Sequence, residues 1–78
     1  MKKDAITFEI LCARLERAIH ADVGMLGLNI LLYGWIAKYG RCSHQQLRQR
    51  KKADGVRWLS LSETKSFSRY AGYDLTKD

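Results

Sequence analysis

The stretch VGMLGLNILLYGWIA, residues 23–37, contains no charged side chain. On a helical wheel its large side chains form two apolar lines. One line contains Met25, Leu28, Leu32, Trp35 and, just beyond the stretch, Tyr39, and the other contains Leu26, Ile30, Tyr33 and Ala37. A helix that is apolar on nearly every side has to be covered on nearly every side. We therefore predict that this stretch is the central helix of a small all-α protein.

The same stretch is short for a membrane span. At 1.5 Å per residue it reaches about 22 Å, whereas a hydrocarbon core is roughly 30 Å thick. The residues before it, 1–17, mix both signs of charge and lack the layout of a secretion signal. Two cysteines are too few for a disulfide framework. We expect a cytoplasmic protein with free thiols and no membrane contact, with a membrane span as the less favoured interpretation.

Local signals predict a further helix before the central one. Between Ala5 and Ala21 the apolar residues recur at the spacing of one helical face, which indicates an amphipathic helix. Asp22 is placed to cap the central helix, and Gly40 is placed to end it in a left-handed conformation. The amino-terminal half is therefore predicted to contain two helices joined by a short turn.

Two capping boxes predict helices after the central one. Ser43 precedes Gln46, and Ser60 precedes Glu63, at the spacing in which each side chain can bond the other residue's backbone N–H. These motifs predict a third helix over residues 44–53 and a fourth helix from Leu61 to Ala71.

Between these two helices, residues 56–60 favour a short extended segment because they include a β-branched and an aromatic side chain. The last six residues are expected to be frayed or loosely docked. The fold prediction is a single domain, residues 1–78, that forms a bundle of about four helices with a helix-turn-helix-like central pair.

Positive charge is concentrated in residues 41–58. This block has six Lys and Arg against one Asp, a surplus of five in a chain whose net charge is +6. The acidic residues that normally interleave a solvated helix face are missing from it. The block therefore indicates a surface for a polyanion.

The central helix, a turn from Gly40 to Ser43 and a short basic helix have the layout of a helix-turn-helix, whose second helix enters a DNA major groove. Lys and Arg bind phosphates, arginine can fork onto guanine, and glutamine can bind adenine or phosphate. The predicted nucleic-acid contacts are Arg41, Gln45, Arg48, Gln49, Arg50, Lys51, Lys52 and Arg57. We interpret the chain as a DNA-binding regulatory protein, with DNA favoured over RNA.

Two other interpretations of the basic block stay open. It can be a solvated helix face, or a patch by which an inhibitor or adaptor docks on an acidic protein. Trp58 and Tyr39 border the block and could stack on unpaired bases, although aromatic residues in a chain of this size are more often needed for burial.

The other helices offer the central helix too little apolar surface to cover it. A second copy of the chain can supply the rest, and twofold dimers are the commonest soluble assemblies. The glycines of the central helix would allow a close approach. We predict a homodimer, and its interface residues are expected to be Met25, Leu28, Asn29, Leu32 and Trp35.

No catalytic or metal-binding signature is present. Cys12, His20, Cys42 and His44 lack the paired spacing of structural zinc ligands, and a Cys–His nucleophile pair would lack an orienting third group. There is no glycine-rich phosphate loop. We predict a protein that is not an enzyme and has no cofactor and no metal.

Overall fold

The computed structural model describes residues 5–40, 43–50 and 55–77. In these residues the chain folds into four helices and a small two-stranded sheet, which confirms the predicted helical bundle. The elements, in order, are β1 (Ile6–Thr7), α1 (Phe8–Ile19), α2 (Gly24–Tyr39), α3 (His44–Gln49), β2 (Trp58–Leu59) and α4 (Leu61–Ala71).

The extended segment predicted near residues 56–60 pairs with a strand that the sequence had not suggested. Ile6 pairs with Leu59, and Thr7 pairs with Trp58, in an antiparallel ladder. Thr7 then caps α1, because its hydroxyl accepts a hydrogen bond from the Ile10 N–H at 3.3 Å. The sheet therefore fixes the start of α1 beside the segment that leads into α4.

The start of α2 is capped from α1, so the prediction that Asp22 caps this helix is wrong. The N-cap residue is Val23, and its side chain makes no cap bond. Instead, one carboxylate oxygen of Glu16 accepts the backbone N–H groups of Val23 at 2.8 Å and of Gly24 at 3.0 Å. The C-cap residue of α1, His20, has a left-handed backbone conformation. The axes of α1 and α2 make an angle of 92°.

Of the two apolar lines of α2, the one that contains Leu28, Leu32 and Trp35 packs into the core. Trp35 is fully buried, its ring meets Phe67 edge-on at 5.8 Å, and its indole N–H donates to the Ser66 hydroxyl at 3.0 Å. The buried apolar residues are Ile6, Phe8, Leu11, Cys12, Leu15, Leu28, Leu32, Trp35, Ile36, Leu47, Leu59, Phe67 and Leu75. They come from α1, α2, α3, α4, both strands and the carboxyl-terminal segment, so they form one shared core.

This core corrects the expected dimer interface. Leu28, Leu32 and Trp35 are completely buried within one chain, so they have no accessible surface left to offer a second copy. Asn29 is half-buried and Met25 is exposed. The sequence pattern had allowed either apolar line of α2 to face the core, and packing against α1 and α4 selects the Leu28 line.

Both capping boxes form as predicted. Ser43 and Gln46 exchange side-chain-to-backbone hydrogen bonds at the start of α3, and Ser60 and Glu63 do so at the start of α4. α4 has the predicted ends, but α3 is shorter than expected, because it ends at Gln49. The remainder of the predicted third helix, residues 51–53, lies outside the described residues.

The carboxyl-terminal segment is docked rather than frayed. Leu75 is completely buried in the core. Its N–H donates to the Ser68 hydroxyl at 2.9 Å, and its carbonyl accepts a hydrogen bond from Arg14 at 3.0 Å. A single leucine thus attaches the end of the chain to α1 and α4.

Among the described residues, no single helix has the length and apolar character needed to cross a membrane. α1 and α2 meet the length and composition requirement only when taken together, as a pair with a sharp bend.

Candidate nucleic-acid interface

One apolar side chain sets the orientation of α3. Leu47 is buried in the core, whereas Gln45, Arg48 and Gln49 are exposed. The capping box at Ser43 satisfies the first backbone N–H groups of this short helix. With Gln46, which is also exposed, the described side chains of α3 present one guanidinium and three amide groups to solvent.

Arg57 directly precedes β2 and lies beside α3. Its carbonyl accepts a hydrogen bond from the Phe8 N–H at 3.0 Å, which ties its backbone to the start of α1. Its guanidinium carbon lies 5.7 Å from the centre of the Phe8 ring, within the range of a cation–π contact. The side chain is half-buried, so the aromatic ring holds the charge in place without removing it from solvent.

Gln45, Arg48, Gln49 and Arg57 line one depression of about 690 Å³, which we call the basic groove. All four were predicted from the sequence as nucleic-acid contacts. None of these lining residues is acidic, so nothing in the described wall of the groove offsets the two positive charges. Two guanidinium groups and two amides give the groove many N–H donors.

Arg50 has a different position from the one expected of a contact residue. It is half-buried and forms an ion pair with Glu63, and its guanidinium carbon lies 5.0 Å from the centre of the Trp58 ring. It thereby joins the end of α3 to the start of α4. Trp58 is half-buried and has Arg50 over its ring, so the suggestion that Trp58 stacks on a base receives no support from its position.

Glu63 is held in its charged form at this junction. Partial burial raises its pKa, but the hydrogen bond from Arg50, the N–H of Ser60 at 2.9 Å and the Arg50 charge together outweigh burial. The net result is a pKa below the ordinary glutamate value. The Arg50–Glu63 pair was invisible in the sequence because the two residues are thirteen positions apart.

The other predicted contacts lie outside the described residues. These are Arg41, Lys51 and Lys52.

A second, smaller basic surface lies on α4 and was not predicted. Lys65 and Arg69 line a depression of about 290 Å³ with Tyr39, Ser62 and Ser66. Lys38 places its ammonium 6.0 Å from the centre of the Tyr39 ring. The acidic residues near Lys65 and Arg69 in the sequence equal the basic ones in number. The net charge of this part of the chain therefore did not indicate a basic surface.

The described residues contain no group of three or more His, Cys, Asp or Glu side chains that could hold a metal ion. The Cys12 thiol is buried, and its burial, followed by the nearby charge of Glu16, raises its pKa above the ordinary cysteine value. A thiol in this environment is a poor nucleophile at neutral pH.

Comparison of the chain with protein-family models, with curated proteins and with solved structures finds no match.

Proposed function

We propose that the chain is a non-enzymatic regulatory protein that binds nucleic acid, duplex DNA in the first place, through the basic groove. The observation that supports this proposal is the convergence of four predicted contact residues from two separate elements on one depression. Gln45, Arg48 and Gln49 come from α3, and Arg57 comes from the residue before β2.

The chemistry of the groove suits a phosphate backbone. Arginine presents a planar fork of donors that matches two phosphate oxygens, and Arg48 and Arg57 offer two such forks. Arg57 is already positioned by Phe8, so less side-chain entropy is lost when it binds. The amides of Gln45 and Gln49 can bond either phosphates or the edges of adenine bases.

The distribution of charge supports a polyanion rather than a small anion. A single small anion needs few charges, whereas residues 41–58 have a surplus of five. Lys51 and Lys52 belong to this surplus and are predicted from the sequence as further phosphate contacts. Such a contact releases counterions, so affinity should fall steeply as salt rises.

The test is the binding of a labelled random duplex of about 20 base pairs, followed by fluorescence anisotropy at about 50 and 200 mM salt. The variant Arg48→Gln/Arg57→Gln removes both charges from the groove. Loss of two phosphate contacts should reduce affinity at least tenfold and reduce the log–log salt slope by about 2.

A matched control separates the groove from the overall charge. The variant Arg17→Gln/Arg69→Gln removes two exposed arginines from α1 and α4, and both double variants have the same net charge, 6 − 2 = +4. The control should bind within about threefold of the wild type. An equal loss in both variants would mean that charge acts from anywhere on the surface, which contradicts a site at the groove.

Wild-type protein that fails to bind duplex even at about 50 mM salt would also overturn the proposal. The basic groove would then be assigned to an acidic protein partner. Capture of a single stoichiometric protein partner that Arg48→Gln/Arg57→Gln no longer binds would establish that function instead.

A further inference from the structure

The second apolar line of α2 faces solvent. Leu26 is 76% exposed, Ile30 is 62% exposed and Tyr33 is 43% exposed. Leu26, Ile30 and Tyr33 are spaced by four and three residues, so they share one side of the helix. We call these three residues the outer stripe, which covers about two turns of α2.

The outer stripe stands out from the rest of the described surface. The other exposed large apolar residues there are Ile10, Met25, Tyr39 and Tyr73, which lie on α1, near the two ends of α2 and after α4. Contiguous exposed apolar surface generally marks an interaction site, whereas single exposed residues need no explanation.

Two glycines of α2 lie close to side chains of their own chain. A Cβ atom at Gly34 would overlap the hydroxyl of Tyr70 from the same chain. At Gly27 it would lie 2.8 Å from the Val23 side chain. The space beside Gly27 and Gly34 is thus taken up by the chain itself, so a partner on the exposed side of α2 meets the large side chains of the outer stripe.

The charge of the chain favours a second copy on this face. Each copy has a net charge of +6, so two copies repel each other where their basic surfaces meet. The outer stripe lies within the uncharged stretch 23–37, which lets two copies approach there without bringing like charges together. The charged residues that flank this stretch are Asp22 and Lys38, and both are exposed.

Asp22 and Lys38 also indicate the direction of the pairing. Asp22 lies in the connection just before α2, and Lys38 lies in the last turn of α2. In an antiparallel pair with its twofold axis at Ile30, the amino-terminal end of each α2, which Asp22 precedes, lies beside the carboxyl-terminal end of the other copy's α2, which carries Lys38, and Ile30 meets its symmetry mate. A parallel pair would instead place like charges together at both ends.

We infer that the chain forms a homodimer in which the outer stripes of two antiparallel α2 helices pack together about a twofold axis at Ile30. The stripe is smaller than a standard protein–protein interface, so the dimer dissociates in the micromolar range. The surface is distinct from the basic groove, and this inference does not depend on the proposed function.

The test is analytical ultracentrifugation of the full chain from about 1 to 500 μM, a range that brackets a micromolar dissociation constant. The 9.0 kDa chain should associate reversibly to a species of twice that mass. Ile30→Glu should weaken association about a hundredfold or more, because it places two carboxylates at the twofold axis. The matched control is Ile10→Glu, which adds the same charge at an exposed isoleucine on α1 and should leave association unchanged.

A charge swap tests the antiparallel direction. Asp22→Lys alone should weaken association on the order of tenfold, because two exposed ion pairs become repulsive. The double variant Asp22→Lys/Lys38→Asp should restore it, which a parallel pair or an unrelated partner would not allow.

Three results would overturn the inference. The first is a monomer throughout the concentration range, and the second is equal association of Ile30→Glu and Ile10→Glu. The third is flotation with anionic lipid vesicles that Ile30→Glu abolishes, which would assign the outer stripe to a membrane surface. Duplex binding by Ile30→Glu, measured in parallel, shows whether the basic groove stays intact.

Discussion

The guanidinium carbon of Arg57 lies 5.7 Å from the centre of the Phe8 ring, and the Phe8 N–H donates to the Arg57 carbonyl. The residue at the start of α1 therefore holds both the backbone and the side chain of the arginine that completes the basic groove. Phe8 is itself buried in the core. The position of the charge is thus set by the fold and not by the flexible end of a surface side chain.

This relationship predicts that charge alone is not enough at position 57. Arg57→Lys keeps the charge but loses the planar fork and its contact with the aromatic ring. Duplex affinity should fall about three- to tenfold with an unchanged salt slope, whereas Arg57→Gln should also reduce the slope by about 0.9. Anisotropy titrations over a range of salt concentrations measure both quantities. Equal affinity of Arg57→Lys and the wild type would show that Phe8 has no role in positioning the site.

Glu16 should stabilise α2 although it belongs to α1, because its carboxylate accepts two backbone N–H groups at the start of α2. Glu16→Ala should lower the melting temperature by about 4–8 °C, as the loss of a helix cap does in a chain of this size. Glu16→Gln should have a smaller effect, since its amide oxygen still accepts. Asp22→Ala is the control and should change the melting temperature little. A larger effect at Asp22 than at Glu16 would contradict the observed capping.

Stability should depend on pH through Glu63. Its pKa is lower in the folded chain than its ordinary value of 4.5, so its contribution is present above about pH 4.5 and is lost as the pH falls through the folded pKa. Urea unfolding at a series of pH values from 7 to 3 should show this loss. Glu63→Gln should be less stable at pH 7 and show a shallower fall, because the neutral amide cannot form an ion pair with Arg50 and does not titrate. An identical pH dependence in the variant would contradict the ion pair.

Gly34 and Tyr70 should be energetically coupled. A methyl group at position 34 would overlap the Tyr70 hydroxyl and lie 3.1 Å from the ring carbon that carries it. Tyr70 is restrained by its contacts with Phe67 and Tyr39, so Gly34→Ala should lower the free energy of unfolding by about 1 kcal/mol despite the better helix propensity of alanine. The cost should shrink in a Tyr70→Phe background. A double-mutant cycle in urea measures the coupling, and additive effects would contradict it.

The ends of most helices could be predicted because their signals are local. Ser43 and Ser60 each find their capping partner three residues away, and Gly40 and Gly72 take the left-handed conformation that ends a helix. The outward direction of Arg48 follows in the same way from the apolar Leu47 beside it. These features depend only on residues within one turn.

The features that were missed depend on contacts between distant parts of the chain. Nothing in the sequence near Ile6 indicates that it pairs with Leu59, and nothing near Leu75 indicates that it is buried against α1 and α4. Which of the two apolar lines of α2 faces the core also depends on contacts with distant residues. Because both lines are apolar, the helical period alone did not select one; in the structure Trp35 of the Leu28 line packs against Phe67 in the core.

The candidate site could be predicted only in part, because it too combines local signals with contacts between distant residues. Periodicity could place Gln45, Arg48 and Gln49 on one exposed face, but it could not bring Arg57 to them. That step requires β2 to pair with β1. Arg50 is also basic and adjacent, yet its pairing with Glu63 is a tertiary contact, so sequence reasoning assigned it to the surface.

The most direct test of the central claim is a ¹H–¹⁵N NMR titration of the full chain with a random duplex of about 20 base pairs at low salt. We predict saturable shifts of the Gln45 and Gln49 side-chain amides and of the Arg48 and Arg57 guanidinium N–H groups, with the backbone amide of Ile10 unchanged. Saturable binding that shifts Lys65 and Arg69 on α4, and leaves all four groove residues unchanged, would contradict the assignment of nucleic-acid binding to the basic groove.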